Sequence, residues 1–269
     1  MKRALEVWRW SAAVLAHSRG WLVLLAAFLG LWALAAYEWL WIPESSAWVL
    51  MLSLVWVVAQ VAATAAASAV TLASAMEVAA TAAPALPLVF WRRLRREHFA
   101  ACLLWLIAVA AVGREIAVIF GWVNQHSIEL ASFLTFHFQK PVSYLSVEKW
   151  FRVVEGLIWI ALATSLLGFL LVLFRSGWHE ARRQFGSIVL TGCLGTAFLS
   201  GFLSVLIFGG LAYLLANWRP AVPPGFWDYS QLAVRTALVL ILVAAGWLFG
   251  LLCLARLSSD RLTAANKNA

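Results

Sequence analysis

Six ionisable side chains stand where ionisable side chains are costly. Arg114 and Glu115 sit about 15 residues into an otherwise apolar stretch, roughly 22 Å from its start in a helix. Glu155 lies about one turn into a second stretch, with Arg152 a turn above it. Arg235 stands near the start of a third, and Glu38 near the end of a fourth. A charge at such depth costs a few kcal/mol unless it is paired or wetted, by about 2.5–3.5 kcal/mol on insertion scales. Two chemistries fit the pattern. A polar layer open to one side of a membrane would meet a charged or zwitterionic substrate. Alternatively, three acids and three bases would pair and lock four helices together, with end residues reaching to water. Glu148, Arg152 and Glu155 are spaced i, i+4 and i, i+3, on one helix face.

Other polar residues are more isolated. Gln60 falls near the middle of an apolar run, where an amide bonds a neighbouring helix or lines a path. Glu77 follows within a stretch of small residues and reads as solvated. Arg92, Arg93, Arg95 and Arg96, with Arg182 and Arg183, form a cationic surface suited to anionic lipid headgroups or to a docking partner. The five histidines (His17, His98, His126, His137 and His179) all lie near the ends of apolar runs. A haem held between two helices needs them inside, so neither haem nor metal is expected. The three cysteines (Cys102, Cys193 and Cys253) lie singly in apolar runs and read as small hydrophobes. GxxxxGK[ST], HExxH and GxSxG are absent, and no histidine base lies at the depth of the buried hydroxyls. No catalytic residue, metal or cofactor is therefore expected.

The elements that position these residues follow from composition. Of 269 residues, 64% are hydrophobic and 12% charged, with mean hydropathy +0.88. A soluble chain carries about 25% charge. The composition excludes a soluble globule, a disulfide scaffold and a disordered chain. The net charge of +8 reflects arginines at the ends of apolar runs, not a nucleic-acid surface.

An all-α integral membrane protein is expected: a bundle of six transmembrane helices. The spans are read at about 21–42, 48–68, 99–123, 150–174, 187–216 and 232–254. The second continues as a helix to about residue 83, through VAATAAASAVTLASAMEVAATAA. Its Ala, Ser and Thr side chains allow close approach and should be covered by other helices. An extra span at 69–90 is the competing reading. It would invert everything downstream. Gly246 and Gly250, at GxxxG spacing, fit helix packing within one chain.

Most of the 20 Lys and Arg residues fall on one side of this map, so both termini are expected in the cytoplasm. Most of the 17 tryptophans fall at span ends, as in an interfacial belt. Residues 1–19 read as an amphipathic helix in the inner interface, with Leu5, Trp8, Ala12 and Leu15 on its apolar stripe. Residues 20–256 form the membrane domain and 257–269 a cytoplasmic tail. Residues 127–138 read as an interfacial element, and 217–230, with Pro220, Pro223 and Pro224, as an irregular turn.

This layout resembles, in architecture, the membrane subunits of ABC-type exporters: an interfacial elbow, six spans, basic inner loops and no ATPase motif. The resemblance implies a permease-type transport component and a separate ATPase touching residues 70–98 and 175–186. The alternative is a non-catalytic accessory subunit of a larger membrane complex. Either way the partners are membrane lipids and other protein subunits, without nucleic acid. The high Ala, Trp and Arg content and the lack of a targeting segment point to a bacterial inner membrane.

Overall fold

In a computed structural model the chain folds as an all-α bundle; the structure describes residues 2–42, 46–88, 92, 94–218 and 226–267. Among the described residues ten helices follow in order: α1 (Lys2–His17), α2 (Arg19–Trp39), α3 (Ala47–Thr81), α4 (Arg96–Gln125), α5 (Ser127–Phe138), α6 (Tyr144–Arg183), α7 (Phe185–Leu194), α8 (Thr196–Ser204), α9 (Gly210–Asn217) and α10 (Phe226–Lys267). A π-helical turn, Val205–Gly209, joins α8 to α9. Among the described residues, six helical stretches are long and apolar enough to cross a membrane, which makes this a multi-pass membrane protein.

One end of the bundle is tightly packed. It carries Arg19, Arg95, Arg175 and Arg256, and is called here the basic end. α3 shows the change along its length. From Ala47 to Thr64 only Ser53 is buried. From Ala65 onward the small side chains face neighbours: Ala65, Ala69, Val70, Ser74 and Ala75 have no exposed surface. The burial begins where the composition turns to Ala, Ser and Thr, as expected of a surface that lets backbones approach. α10 and α4 lie against this stretch. Arg256 of α10 donates to the Ala79 carbonyl oxygen at 3.1 Å, satisfying one of the last acceptors of α3.

The first helix packs otherwise than its sequence pattern indicates. Its buried seam is Ala4, Val7, Ser11, Val14 and Leu15; Leu5 and Ala12 are exposed. The stripe is turned by about one residue, or about 100°. The seam lies along the last turns of α10, running antiparallel to it: Arg3 pairs with Asp260 at 3.4 Å, and Cys253 meets Ser11 at 3.3 Å. α10 itself continues to Lys267, past the boundary read at 256, and Leu257, Ser258 and Ser259 are buried.

A buried hydroxyl organises the elbow between α1 and α2. Ser18 donates to the Val14 carbonyl at 2.7 Å and accepts from the Leu86 backbone N–H at 2.9 Å. The Trp21 indole donates to the Pro87 carbonyl at 3.1 Å. The connection after α3 is thereby held against the elbow.

The fifth span is two helices, not one. α7 climbs beside α6 from the basic end and stops at Leu194. Gly195 is extended (φ −104°, ψ −164°), and α8 starts afresh at Thr196. The spanning stretch is Thr196–Asn217, not 187–216. α6 also breaks, at Gly177 (φ +80°), a conformation open to glycine alone at little cost. Beyond it a short leg folds back, with Trp178 and Phe185 both edge-on to Phe169 at 5.9 Å.

The opposite, far end is open. Only 6% of the most apolar stretch of α4 is buried, against 50% for α10. Leu50, Met51 and Leu52, on successive sides of α3, are all exposed. Several tryptophans do more than anchor: Trp56 donates to the Ala35 carbonyl at 2.9 Å, and Trp39 donates to Ser53, tying α2 to α3. Gly246 and Gly250 of α10 face Phe208 and Ser204, a contact within one chain.

Candidate functional site

Three places combine polar chemistry with structure. The first is the break in the fifth span. Gly192 lies so close to α6 that a Cβ there would stand 2.8 Å from the Ser165 Cα and 2.9 Å from its backbone nitrogen. The carbonyl oxygens freed by the break find partners. Thr164 donates its hydroxyl to the Gly192 carbonyl at 2.8 Å, and the Gly195 N–H donates to the Thr191 carbonyl at 3.0 Å. Interrupted backbone persists at membrane depth only where side chains or neighbours satisfy it in this way. Ser165 contacts the Cys193 sulfur at 3.8 Å. From below, the Trp8 indole of α1 donates to Ser200 at 3.0 Å; farther along, Ser204 bonds the Gly246 carbonyl. Sequence reasoning missed this site. Its one signal is the Gly-Cys-Leu-Gly-Thr run at 192–196 inside an apolar stretch.

The second place is a cavity of about 440 Å³ at the basic end, lined by Ala73, Met76, Glu77, Arg92, Arg95, His98 and Phe174. α3, α4 and α6 each supply a wall. The His98 ring stacks on Phe174, centroids 4.1 Å apart and planes 14° apart. Its Nδ1 is shielded from solvent and has no partner. His98, placed near a helix end by the sequence, is thus a structured side chain, and Glu77 lines a cavity. Arg92 and Arg95 are exposed at its rim. Arg96 is exposed nearby on α4. Arg93 lies outside the described residues. Arg182 and Arg183 sit on the leg after Gly177, where Arg183 pairs with Glu180 at 3.5 Å.

The third is the polar layer toward the far end, which the structure does not assemble into one network. Arg152 pairs with Glu148 on the same helix. Arg235 donates to the Trp218 carbonyl. Glu38, Arg114, Glu115 and Glu155 form no ion pair among the described residues, and the first three are exposed. Gln60 is half-buried; its Nε2 is shielded from solvent and has no hydrogen-bond partner. Among the described residues no group of three or more His, Cys, Asp or Glu is placed to hold a metal ion.

These three places and a six-span helical bundle define a class no finer than a multi-pass membrane protein. No known family model matches the sequence, and no curated protein and no solved structure matches it.

Proposed function

We propose that the chain is the membrane-spanning component of a transport assembly that draws its energy from a separate subunit, with both termini in the cytoplasm of a bacterial cell. The observation that carries this reading is the broken fifth span. Its interruption at Gly195 and its π-turn at Val205–Gly209 bound α8, the only helix among the described residues that packs against α1, α6 and α10. Discontinuous helices and π-turns mark the moving or ligand-handling parts of many membrane carriers. Here the break is held by hydroxyls and close glycine contacts, which can exchange partners without opening the apolar core. Arg182, Arg183 and Arg96 then offer a docking face at the basic end, beside residues 70–98 and 175–186. Gln60, Arg114, Glu115 and Glu155 are the polar groups available to a path.

One observation favours a second reading, an accessory subunit of a larger complex. α4 presents Leu104, Ala108, Ala111, Glu115, Val118 and Trp122, all exposed and spaced by four and three. Arg114 flanks this stripe, so two charges that form no ion pair among the described residues stand on a surface that would otherwise meet lipid. A neighbouring subunit would cover it. Gentle-detergent purification of the tagged chain, with mass spectrometry of co-eluting proteins, separates the two. A nucleotide-hydrolysing subunit in fixed stoichiometry, lost in Arg182→Glu/Arg183→Glu, is the expected result. Co-elution with an assembly that lacks any nucleotide-hydrolysing subunit, or elution alone, overturns the reading of a component energised by a separate subunit; elution alone and folded points instead to a self-contained carrier or channel.

A further inference from the structure

Among the described residues, Arg92 and Arg95 are the only guanidinium groups that line the cavity at the basic end; the Glu77 carboxylate lines it too, and neither arginine forms an ion pair with a described residue. His98 contributes its ring to the lining; its Nδ1 is shielded from solvent and so is not open to a ligand in the cavity. Phe174 fixes that ring by stacking. Met76 and Phe174 make the adjoining wall apolar. Cationic forks beside an apolar wall suit an oxyanion attached to something greasy. Guanidinium recognises phosphate oxygens two at a time.

Depth agrees with the chemistry. His98 is the third residue of α4, and from Arg96 onward that helix is apolar enough to span a membrane. The cavity therefore opens where a spanning helix leaves the hydrocarbon and enters the headgroup layer. Its volume, about 440 Å³, falls in the range of specific small-molecule pockets, about 300–1,000 Å³. Diffuse attraction of lipid to scattered surface arginines needs no cavity and no stacked imidazole.

We propose that this cavity binds one phosphate group, held by Arg92 and Arg95 beside the stacked His98 and Phe174 rings, with a phospholipid headgroup as the source its position favours. The proposal is independent of the transport reading. The test uses the full-length chain, purified in detergent and stripped of lipid. Phosphatidylglycerol, diacylglycerol of the same chains and inorganic phosphate are added separately. Native mass spectrometry counts bound lipid, and thermal unfolding reads stabilisation.

One tightly retained phosphatidylglycerol per chain and a rise in melting temperature are expected, with neither from diacylglycerol. Arg92→Gln/Arg95→Gln weakens retention by about tenfold or more. Arg182→Gln/Arg183→Gln removes the same charge and leaves retention unchanged. Ala73→Phe narrows the cavity without altering charge, and also releases the lipid. Stabilisation by millimolar phosphate alone, with the same dependence on Arg92 and Arg95, assigns the site to a soluble phosphate. Equal losses in the two arginine double variants, or equal effects of diacylglycerol and phosphatidylglycerol, overturn the proposal. Each variant is first required to elute as a monodisperse peak, and Ala73→Phe serves if the arginine pair fails this.

Discussion

At the residue scale, contacts between small side chains and backbone decide most of what holds the bundle together. Gly192 is the sharpest case, because the Ser165 Cα and backbone nitrogen crowd it along with that residue's Oγ, and the backbone atoms cannot rotate away. Gly192→Ala is expected to destabilise the protein by about 2 kcal/mol or more, as overpacking does when backbone must shift; thermal unfolding in detergent measures it. Thr164→Val keeps the volume but leaves the Gly192 carbonyl unpaired, a loss of about 1–3 kcal/mol. Ala82 works in the opposite direction. It ends α3 in the left-handed region at φ 52°, where a Cβ is a burden. Ala82→Gly is therefore expected to raise stability by up to about 1 kcal/mol. A fall in melting temperature for Ala82→Gly would count against this description of the α3 end.

At the element scale, α1 shows how far pattern alone reaches. Its helical period is plain in the sequence, yet the seam it buries is the neighbouring stripe, through Val7, Ser11 and Val14. Hydropathy ranks the faces of an isolated helix. It does not see that Ser11 has a partner in Cys253, or that Trp8 is wanted by Ser200. Val14, 1% exposed, marks the difference. Val14→Asp is expected to unfold the α1–α10 contact, through an unpaired buried charge, whereas Ala12→Asp is expected to be nearly neutral. Limited proteolysis between α1 and α2 distinguishes them.

The spanning helices were the most legible elements, because about 20 apolar residues in a row have few other uses. The small-residue stretch of α3 was legible as a packed surface for the same compositional reason. Breaks were not. Gly177 and Gly195 interrupt helices inside or beside apolar runs, and glycine there reads equally as a packing residue. The basic cavity was half legible. Its arginines stood out, but the stack of His98 on Phe174 joins residues far apart in sequence, which no local pattern reports.

Over the molecule as a whole, packing is unevenly distributed. Leu248, Leu251, Leu252, Ala65 and Ala75 belong to one dry core toward the basic end. Toward the far end, α3 and α4 expose apolar side chains on most of their surface. Segments with few buried contacts open at low free energy, and functional motion is drawn from them. On the proposed transport reading, the basic end is the fixed frame, the broken fifth span the joint, and the far halves of α3 and α4 the parts that rearrange around substrate or partner. Spin-label distance measurements on the full chain in lipid nanodiscs test this most directly. One pair of labels is placed at Met51 and Val118, the other at Ala80 and Glu97, all exposed positions. A single narrow distribution for Ala80–Glu97 and a broad or multiple one for Met51–Val118 is the predicted result. Equally narrow distributions for both pairs, or a broader one at the basic end, would contradict it.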